Sequence, residues 1–246
     1  LRGLGREFGV SMTPAREAVR RLVSEGALFL SASGRVSTPE LSNERIEELA
    51  AIRALGDLAD PAAAELLVSL ADHPSGDVKE IVLAAMGKVD DPTVREALLA
   101  TFRDGDERLR KAAMWALKEQ GGAVVEPLVE ILNGPEESLR GPAGHVLWSI
   151  GEPAVPAMRK QLRQGGKEAK LAAMRLMVDR RVRDALGDIR PLLSSDEPVV
   201  RAAGAWAVGA LVDPAAVKEL KRLTKDPNPK VARSAEVALW KIQRDH

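Results

Sequence analysis

The chain repeats one pattern of apolar residues six times, at intervals of 30 or 31 residues. Each copy opens on an apolar or small residue, here called the anchor. The anchors are Val78, Leu109, Leu139, Ala169, Val200 and Val231. The positions three, four, seven and eight residues after each anchor are mostly apolar or small, which is the spacing of one helix face. A fixed period of this length predicts stacked two-helix units, each packing only on its neighbours.

A second marker begins the other helix in four of the six units and is missing near Ala123 and Asp184. Asp-Pro stands at 60–61, 91–92 and 213–214, and Glu-Pro stands at 152–153. Aspartate caps a helix N-terminus, and proline is tolerated in the first turn. We therefore expect partner helices over residues 61–72, 92–103, 123–133, 153–164, 182–193 and 214–225. We expect anchored helices over residues 77–89, 107–119, 137–150, 167–178, 198–211 and 229–243. Pro142 should delay or kink the start of its helix.

Composition limits the classes of function. Lysine plus arginine and aspartate plus glutamate both number 36, so the net charge is zero and gives no overall attraction to nucleic acid or anionic membranes. There is no cysteine, which excludes disulfides, thiolate catalysis and cysteine zinc sites. No apolar run reaches about 18 residues, so we expect no membrane partner. No signal-peptide pattern opens the chain, which favours the cytoplasm.

The repeated segments resemble a known family. Residues 199–203, 206–209 and 213–217 match short bacterial HEAT-like repeats of the phycobilisome-lyase type. The resemblance extends over residues 44–246. It implies an all-α fold, an α-solenoid of about six HEAT-like helical hairpins, with the anchored helices lining a concave face that binds partners.

Positions two, five, six and nine after the anchor point away from the apolar stripe. Position six reads Ala84, Trp115, His145, Arg175, Trp206 and Val237. Position nine reads Gly87, Lys118, Trp148, Val178, Gly209 and Trp240, and position five adds Met114 and Met174. Tryptophan is enriched at binding hot spots, and methionine makes adaptable contacts. This placement predicts a partner-binding stripe of Trp115, His145, Trp148, Arg175 and Trp206. The alternative is that these side chains only pack sideways onto adjacent repeats.

Residues 1 to about 40 do not follow the period. Residues 4–10 read as a short helix, and Ser11 is a suitable N-cap for a second helix that Gly26 ends. Residues 27–30 and 34–37 read as two short strands around a turn. Helix, turn, helix and hairpin is the order of a winged helix-turn-helix.

Residues 9–18, 21–22 and 25–26, with a wing at Gly34, resemble the GntR family of bacterial transcription regulators. The resemblance implies DNA contacts from the recognition helix and the wing. The predicted DNA-binding residues are Arg2, Ser11, Thr13, Arg16, Arg20 and Arg35. Met12 stands where the family usually has arginine, and the family's first helix would precede Leu1, so we expect a truncated head.

These observations predict three segments. Residues 1–41 form a partial winged-helix domain, 42–59 a linker and capping helix, and 60–246 the solenoid. Residues 54–61, at the end of the linker helix, match the repeat segment 85–92. We therefore expect one helix to connect the head to the solenoid and also to cap the solenoid.

The sequence shows no catalytic constellation. His73, His145 and His246 have no metal-ligand spacing, and no nucleophile elbow or phosphate loop occurs. We therefore expect no catalytic residue, metal or cofactor. The favoured interpretation is a non-enzymatic DNA-binding transcription regulator whose solenoid binds a protein. One alternative is a HEAT-repeat interaction scaffold with a vestigial head, and another is a HEAT-like bilin lyase or DNA glycosylase.

Overall fold

A computed structural model describes residues 29–30, 36–37 and 43–244 of the chain. The chain divides into two compact units, Leu1–Ala51 and Ile52–His246. In the first unit, strand β1, Phe29–Leu30, pairs antiparallel with β2, Val36–Ser37. This pairing falls within the two predicted strands. The two predicted helices of the winged head lie outside the described residues.

The described chain from residue 43 onward is helical. The helices are α1 Asn43–Leu58, α2 Ala64–Leu70, α3 Gly76–Met86, α4 Pro92–Asp104, α5 Glu107–Gln120, α6 Val125–Asn133, α7 Glu137–Ile150, α8 Val155–Gln164, α9 Lys167–Asp179, α10 Leu186–Ile189, α11 Pro198–Ala210, α12 Val217–Leu223 and α13 Pro229–Arg244. From α3 onward the odd-numbered helices are the anchored helices, and the even-numbered ones are the partner helices. The predicted alternation is therefore confirmed, with ends that differ by a few residues.

The partner helices begin as the marker predicts. Asp60, Asp91 and Asp213 each accept hydrogen bonds from backbone amides two or three residues later. The proline that follows each aspartate occupies the first helical position, where no amide donor is needed. Most partner helices open with a short 3₁₀ turn before the α-helix.

The expected delay of the helix start by Pro142 is wrong, and the expected kink stays a prediction. Helix α7 begins at Glu137 and continues through Pro142 to Ile150. The proline removes one backbone donor, whose acceptor would be the carbonyl of Ser138, and Ser138 is exposed. Water can satisfy that carbonyl, so the helix keeps its first turn.

The buried face of the anchored helices is rotated from the predicted stripe. The anchor and positions four, seven and eight are buried in nearly every repeat, whereas position three is half-buried in all six. Position five, predicted to point away, is buried at Leu83, Gly144, Met174 and Ala205. Each anchored helix packs against the next one as well as against its own partner helix. That flanking contact moves the buried sector toward the following repeat.

Successive anchored helices touch through glycine and alanine. A Cβ atom on Gly209 would lie 2.6 Å from both the Cα and the Cβ of Ala238. Gly87 would meet the Cα of Ala116 at 2.9 Å, and Gly56 would meet the Cα of Ala85 at 2.6 Å. The glycines at 87 and 209 stand at position nine, and the alanines stand at position seven of the next helix. Gly56 makes the same contact, so the end of α1 packs as the end of a repeat helix, as the match between residues 54–61 and 85–92 predicts.

A basic residue directly follows the anchor in five of the six repeats, and at Arg110 and Arg140 it contacts the end of the preceding partner helix. Arg110 donates hydrogen bonds to the carbonyls of Phe102 and Arg103, at the end of the preceding partner helix. Arg140 donates in the same way to the carbonyl of Gly134. These carbonyls have no partner within their helix, and they carry the negative end of its dipole. A cation on the anchored helix at this position therefore caps the C-terminal end of the preceding partner helix.

We predict opposite effects for two glycine-to-alanine substitutions. Gly209→Ala forces a methyl group into the backbone of α13, so it lowers the free energy of unfolding by about 1–3 kcal/mol. Gly141→Ala, in helix α7, adds a methyl that meets no atom within 4 Å beyond its chain neighbours and the backbone of its own helix turn. It should raise that free energy by about 0.5–1 kcal/mol, because alanine restricts the unfolded chain. Chemical denaturation measures both, and equal effects would contradict the close-contact interpretation.

A second prediction concerns acid stability. Arg201 donates to both carboxylate oxygens of Asp226, at 3.0 and 3.1 Å, and these bonds hold the pKa of Asp226 below its ordinary value. The stabilisation is therefore complete above the unfolded pKa of about 3.9, and it is lost as pH falls through the lower folded pKa. Asp226→Asn should destabilise the protein near neutral pH, and the difference from wild type should shrink in acid. Unfolding curves across this range test the prediction, and a constant difference would contradict it.

Candidate partner-binding site

Position six is the outward row of the solenoid. All six side chains at this position are exposed, Ala84, Trp115, His145, Arg175, Trp206 and Val237. Trp115 is the most open of the tryptophans, at 69% exposed, and Trp206 is 39% exposed. Position six is exposed because it lies opposite the sector that positions four, seven and eight bury. The predicted orientation of this row is therefore what the structure shows.

Three adjoining grooves lie along this row, one between each pair of successive anchored helices from α3 to α9. The first, between α3 and α5, has a volume of about 710 Å³. Lys111 and Trp115 line both this groove and the next one, between α5 and α7. His145 lines the second groove and also the third, between α7 and α9. Because neighbouring grooves share lining residues, the three form one continuous surface, here called the central groove.

Charged residues in the first part of the central groove neutralise one another. Arg108 donates to Glu80 and, at 2.5 Å, to Asp77, and these bonds raise the pKa of its guanidinium. Lys111 lies 2.7 Å from Glu107 and lowers the pKa of that carboxyl through a hydrogen bond. The pairing leaves Trp115 as the main apolar contact point of this part. Lys118 stacks over its ring, with the ammonium 5.4 Å from the ring centroid.

Trp148 is fixed by its neighbours on the next repeat. Its indole N–H donates to Asp179 at 2.5 Å, and the Arg175 guanidinium lies 4.9 Å from the ring centroid. The imidazole of His145 contacts the same indole, with centroids 5.6 Å apart. The sideways-packing alternative therefore describes Trp148 well. The cluster also holds a flat aromatic wall in place along the third part of the groove.

Trp206 lies in a separate groove, between α11 and α13. The residues lining this C-terminal groove are Trp206, Arg233, Ser234, Val237, Ala238 and Lys241. None of these residues is acidic. The structure thus brings Trp115, His145, Trp148 and Arg175 together and sets Trp206 apart from them.

Sequence reasoning missed several residues that line these grooves. Lys111 and Arg233 stand at position two, which was predicted to point outward but gave no named binding residue, and Lys241 stands at position ten. The spacing of Arg233, Val237 and Lys241 at four-residue intervals was a usable signal, since residues four apart share a helix face.

The predicted DNA-binding residues are all outside the described part of the chain. This applies to Arg2, Ser11, Thr13, Arg16, Arg20 and Arg35. Within residues 43–244, no helix is long and apolar enough to cross a membrane. In the same part of the chain, no three histidine, cysteine, aspartate or glutamate side chains are grouped so that they could hold a metal ion. His73 instead accepts a hydrogen bond from the amide of Ser75 at 3.0 Å.

Comparison with known proteins identifies the repeats. A family model for HEAT repeats matches residues 42–118 and 155–240, more than half of the chain. A model for the PBS lyase HEAT-like repeat matches residues 109–134. Deoxyhypusine hydroxylase-B from Oryza sativa subsp. japonica is 31% identical over 218 residues, which cover 83% of this chain and 68% of the relative.

Two solved structures are similar in architecture. Human deoxyhypusine hydroxylase is 22% identical with a TM-score of 0.40, over 81% of this chain and 80% of that one. An archaeal HEAT-like repeats protein from Thermococcus onnurineus NA1 is 15% identical with a TM-score of 0.47, over 83% of this chain and 94% of that one.

These comparisons correct the interpretation as a non-enzymatic DNA-binding regulator, which is wrong. The rice relative is an enzyme by name, and its similarity runs through most of the chain. The function therefore has to be sought in the repeats, which make up most of the sequence, and not in a DNA-binding head. The expectation that the chain has no enzymatic character is contradicted by the same relative.

The family models match a chain that folds as six periodic helix pairs with small residues at their contacts. The chain belongs to the HEAT-repeat family.

Proposed function

We propose that this chain is a HEAT-repeat scaffold that binds an extended segment of a partner protein along the central groove. The exposure of Trp115 between two adjoining parts of the groove carries the proposal. A largely exposed indole is an anchor that a partner can cover, and tryptophan contributes strongly at protein interfaces. The cytoplasmic location expected from the sequence stays a prediction.

The spacing of the groove fits an extended chain. Packed helices lie about 8–10 Å apart, so adjacent parts of the groove repeat at about that distance. An extended peptide in the polyproline II conformation advances about 3.1 Å per residue and returns a side chain to the same face every third residue, so three residues span one repeat. A partner segment crossing α3 to α9 would therefore place a side chain in the groove about every third residue. Trp115 and Trp148 would contact two of these side chains.

The rigid part of the groove supports the same proposal. Trp148 is already fixed by Asp179 and Arg175, so a partner that packs on its ring does not have to order it. A surface that is ordered before binding loses less conformational entropy when the complex forms. Trp115 supplies exposed apolar area, and Trp148 supplies a preformed wall.

A second candidate function is catalysis of the kind named for the rice relative, and the 31% identity favours it. Oxygen chemistry in proteins is carried by metal or organic cofactors. The described side chains do not fit a metal centre, because they contain no group of three suitable ligands. No catalytic step is therefore assigned to particular residues.

The scaffold proposal predicts unequal effects for two exposed tryptophans. Peptides selected from a displayed random library on the full chain should lose at least about tenfold in affinity with Trp115→Ala. Trp240→Ala is the matched control, because Trp240 is 56% exposed and also lies under a cation, Arg244, but does not line the central groove. Isothermal titration measures the affinities. No enriched peptide, or equal losses in both variants, would contradict the proposal.

The second candidate makes its own prediction. Incubation of the full chain with a deoxyhypusine-containing protein, dioxygen, a thiol reductant and a panel of divalent transition metals should add one oxygen atom to that protein. The reductant supplies the two electrons that convert the second oxygen atom of dioxygen to water. Mass spectrometry detects the product, and the rice relative serves as the positive control. Turnover by the relative with none by this chain, under every metal, would remove the second candidate and leave the scaffold untouched.

A further inference from the structure

The C-terminal groove differs from the central groove in its charges. Arg233 and Lys241 line it, and neither forms an ion pair with any described residue. In the central groove, by contrast, Arg108 and Lys111 are paired with neighbouring carboxylates. The C-terminal groove has a volume of about 230 Å³, and no carboxylate lines it. Its cations are therefore available to an external anion.

The two cations lie on one face of α13 with an apolar side chain between them. Arg233, Val237 and Lys241 follow at four-residue intervals, so they occupy successive turns of the helix. Val237 is 46% exposed, and Trp206 of α11 lines the same groove from the other side. The sequence of groups along the groove is thus cation, apolar side chain, cation, beside one tryptophan ring.

We propose that the C-terminal groove binds an extended acidic segment of a partner protein with the pattern acid, any residue, apolar residue, any residue, acid. The eight residues from Arg233 to Lys241 rise about 12 Å along the helix. In an extended peptide, side chains on one face recur every second residue, and four residues span about 13 Å. The two acids therefore reach Arg233 and Lys241 when the apolar residue between them contacts Val237 and Trp206.

A peptide fits this groove better than a nucleic acid does. Only two unpaired cations line the groove, and the whole chain has no net charge. Nucleic-acid affinity rises with the number of phosphates that are neutralised, so two cations give little binding at ordinary salt. The exposed Val237 and the buried Ala238 also offer apolar contact to an aliphatic side chain. This inference does not depend on the central groove.

The test uses the full chain and three fluorescein-labelled peptides. One carries glutamate, leucine and glutamate at alternate positions, with serine between them. The second replaces both glutamates with glutamine, and the third carries the same residues with the two glutamates adjacent. Fluorescence anisotropy should show the first peptide binding at least about tenfold more tightly than either of the others. Raised salt should weaken binding of the first peptide more than binding of the glutamine peptide, because its extra binding free energy comes from charge pairing.

Matched charge variants locate the site. Arg233→Gln with Lys241→Gln should abolish the preference for the acidic peptide. Lys221→Gln with Lys230→Gln removes the same charge from exposed positions outside the groove and should leave the preference intact. Trp115→Ala should also leave it intact, which separates this proposal from the central-groove proposal. Circular dichroism confirms that the variants are folded.

Three outcomes would overturn the proposal. Equal affinity for the glutamate and glutamine peptides would show that charge is not recognised. Loss of the preference in the Lys221 and Lys230 variant, but not in the groove variant, would place the site elsewhere. A labelled single-stranded oligonucleotide that binds more tightly than the acidic peptide, and loses binding in the groove variant, would assign the groove to nucleic acid.

Discussion

The close approach of successive anchored helices is the constraint on which the rest of the solenoid depends. Gly87 and Gly209 allow the backbone of the next helix to come so near that a single methyl group would collide with it. This contact fixes which flank of each helix is buried, and it moves position five into the interior. The outward row at position six then follows, because it is the side of the helix that neither the partner helix nor the next repeat covers.

The grooves are a consequence of the same stacking. Where two anchored helices lie side by side, their outward side chains form the walls of a furrow, and the character of each furrow depends on those side chains. In the central groove, paired charges surround Trp115, and Trp148 is locked against Asp179 and Arg175. In the C-terminal groove, the cations form no ion pair with any of the described residues. One repeated architecture therefore presents two chemically different surfaces.

The similarity to a hydroxylase and the exposed grooves are properties of the same repeats. The similarity to the rice enzyme extends over 83% of the chain, which is far more than the N-terminal segment alone. The described residues nevertheless offer exposed aromatic and charged grooves and no grouped metal ligands. The predicted resemblance of residues 1–41 to a DNA-binding head stays a prediction about a segment whose helices lie outside the described residues. What is observed of that segment is the short pairing of β1 with β2.

The sequence by itself determined the repeat length, the alternation of helices, the Asp-Pro caps and the exposed row of Trp115, His145, Arg175 and Trp206. These features are local, since a periodic apolar pattern and a capping residue act within one helix or one turn. Only the tertiary structure decided which flank of each anchored helix is buried, that Met174 is interior, and that Trp148 is held by the next repeat. The tertiary structure alone also showed that Arg110 caps the preceding helix and that Trp206, Arg233 and Lys241 line the C-terminal groove together. Those outcomes depend on distances between residues about 30 positions apart, and only the packing of one repeat on the next fixes such distances.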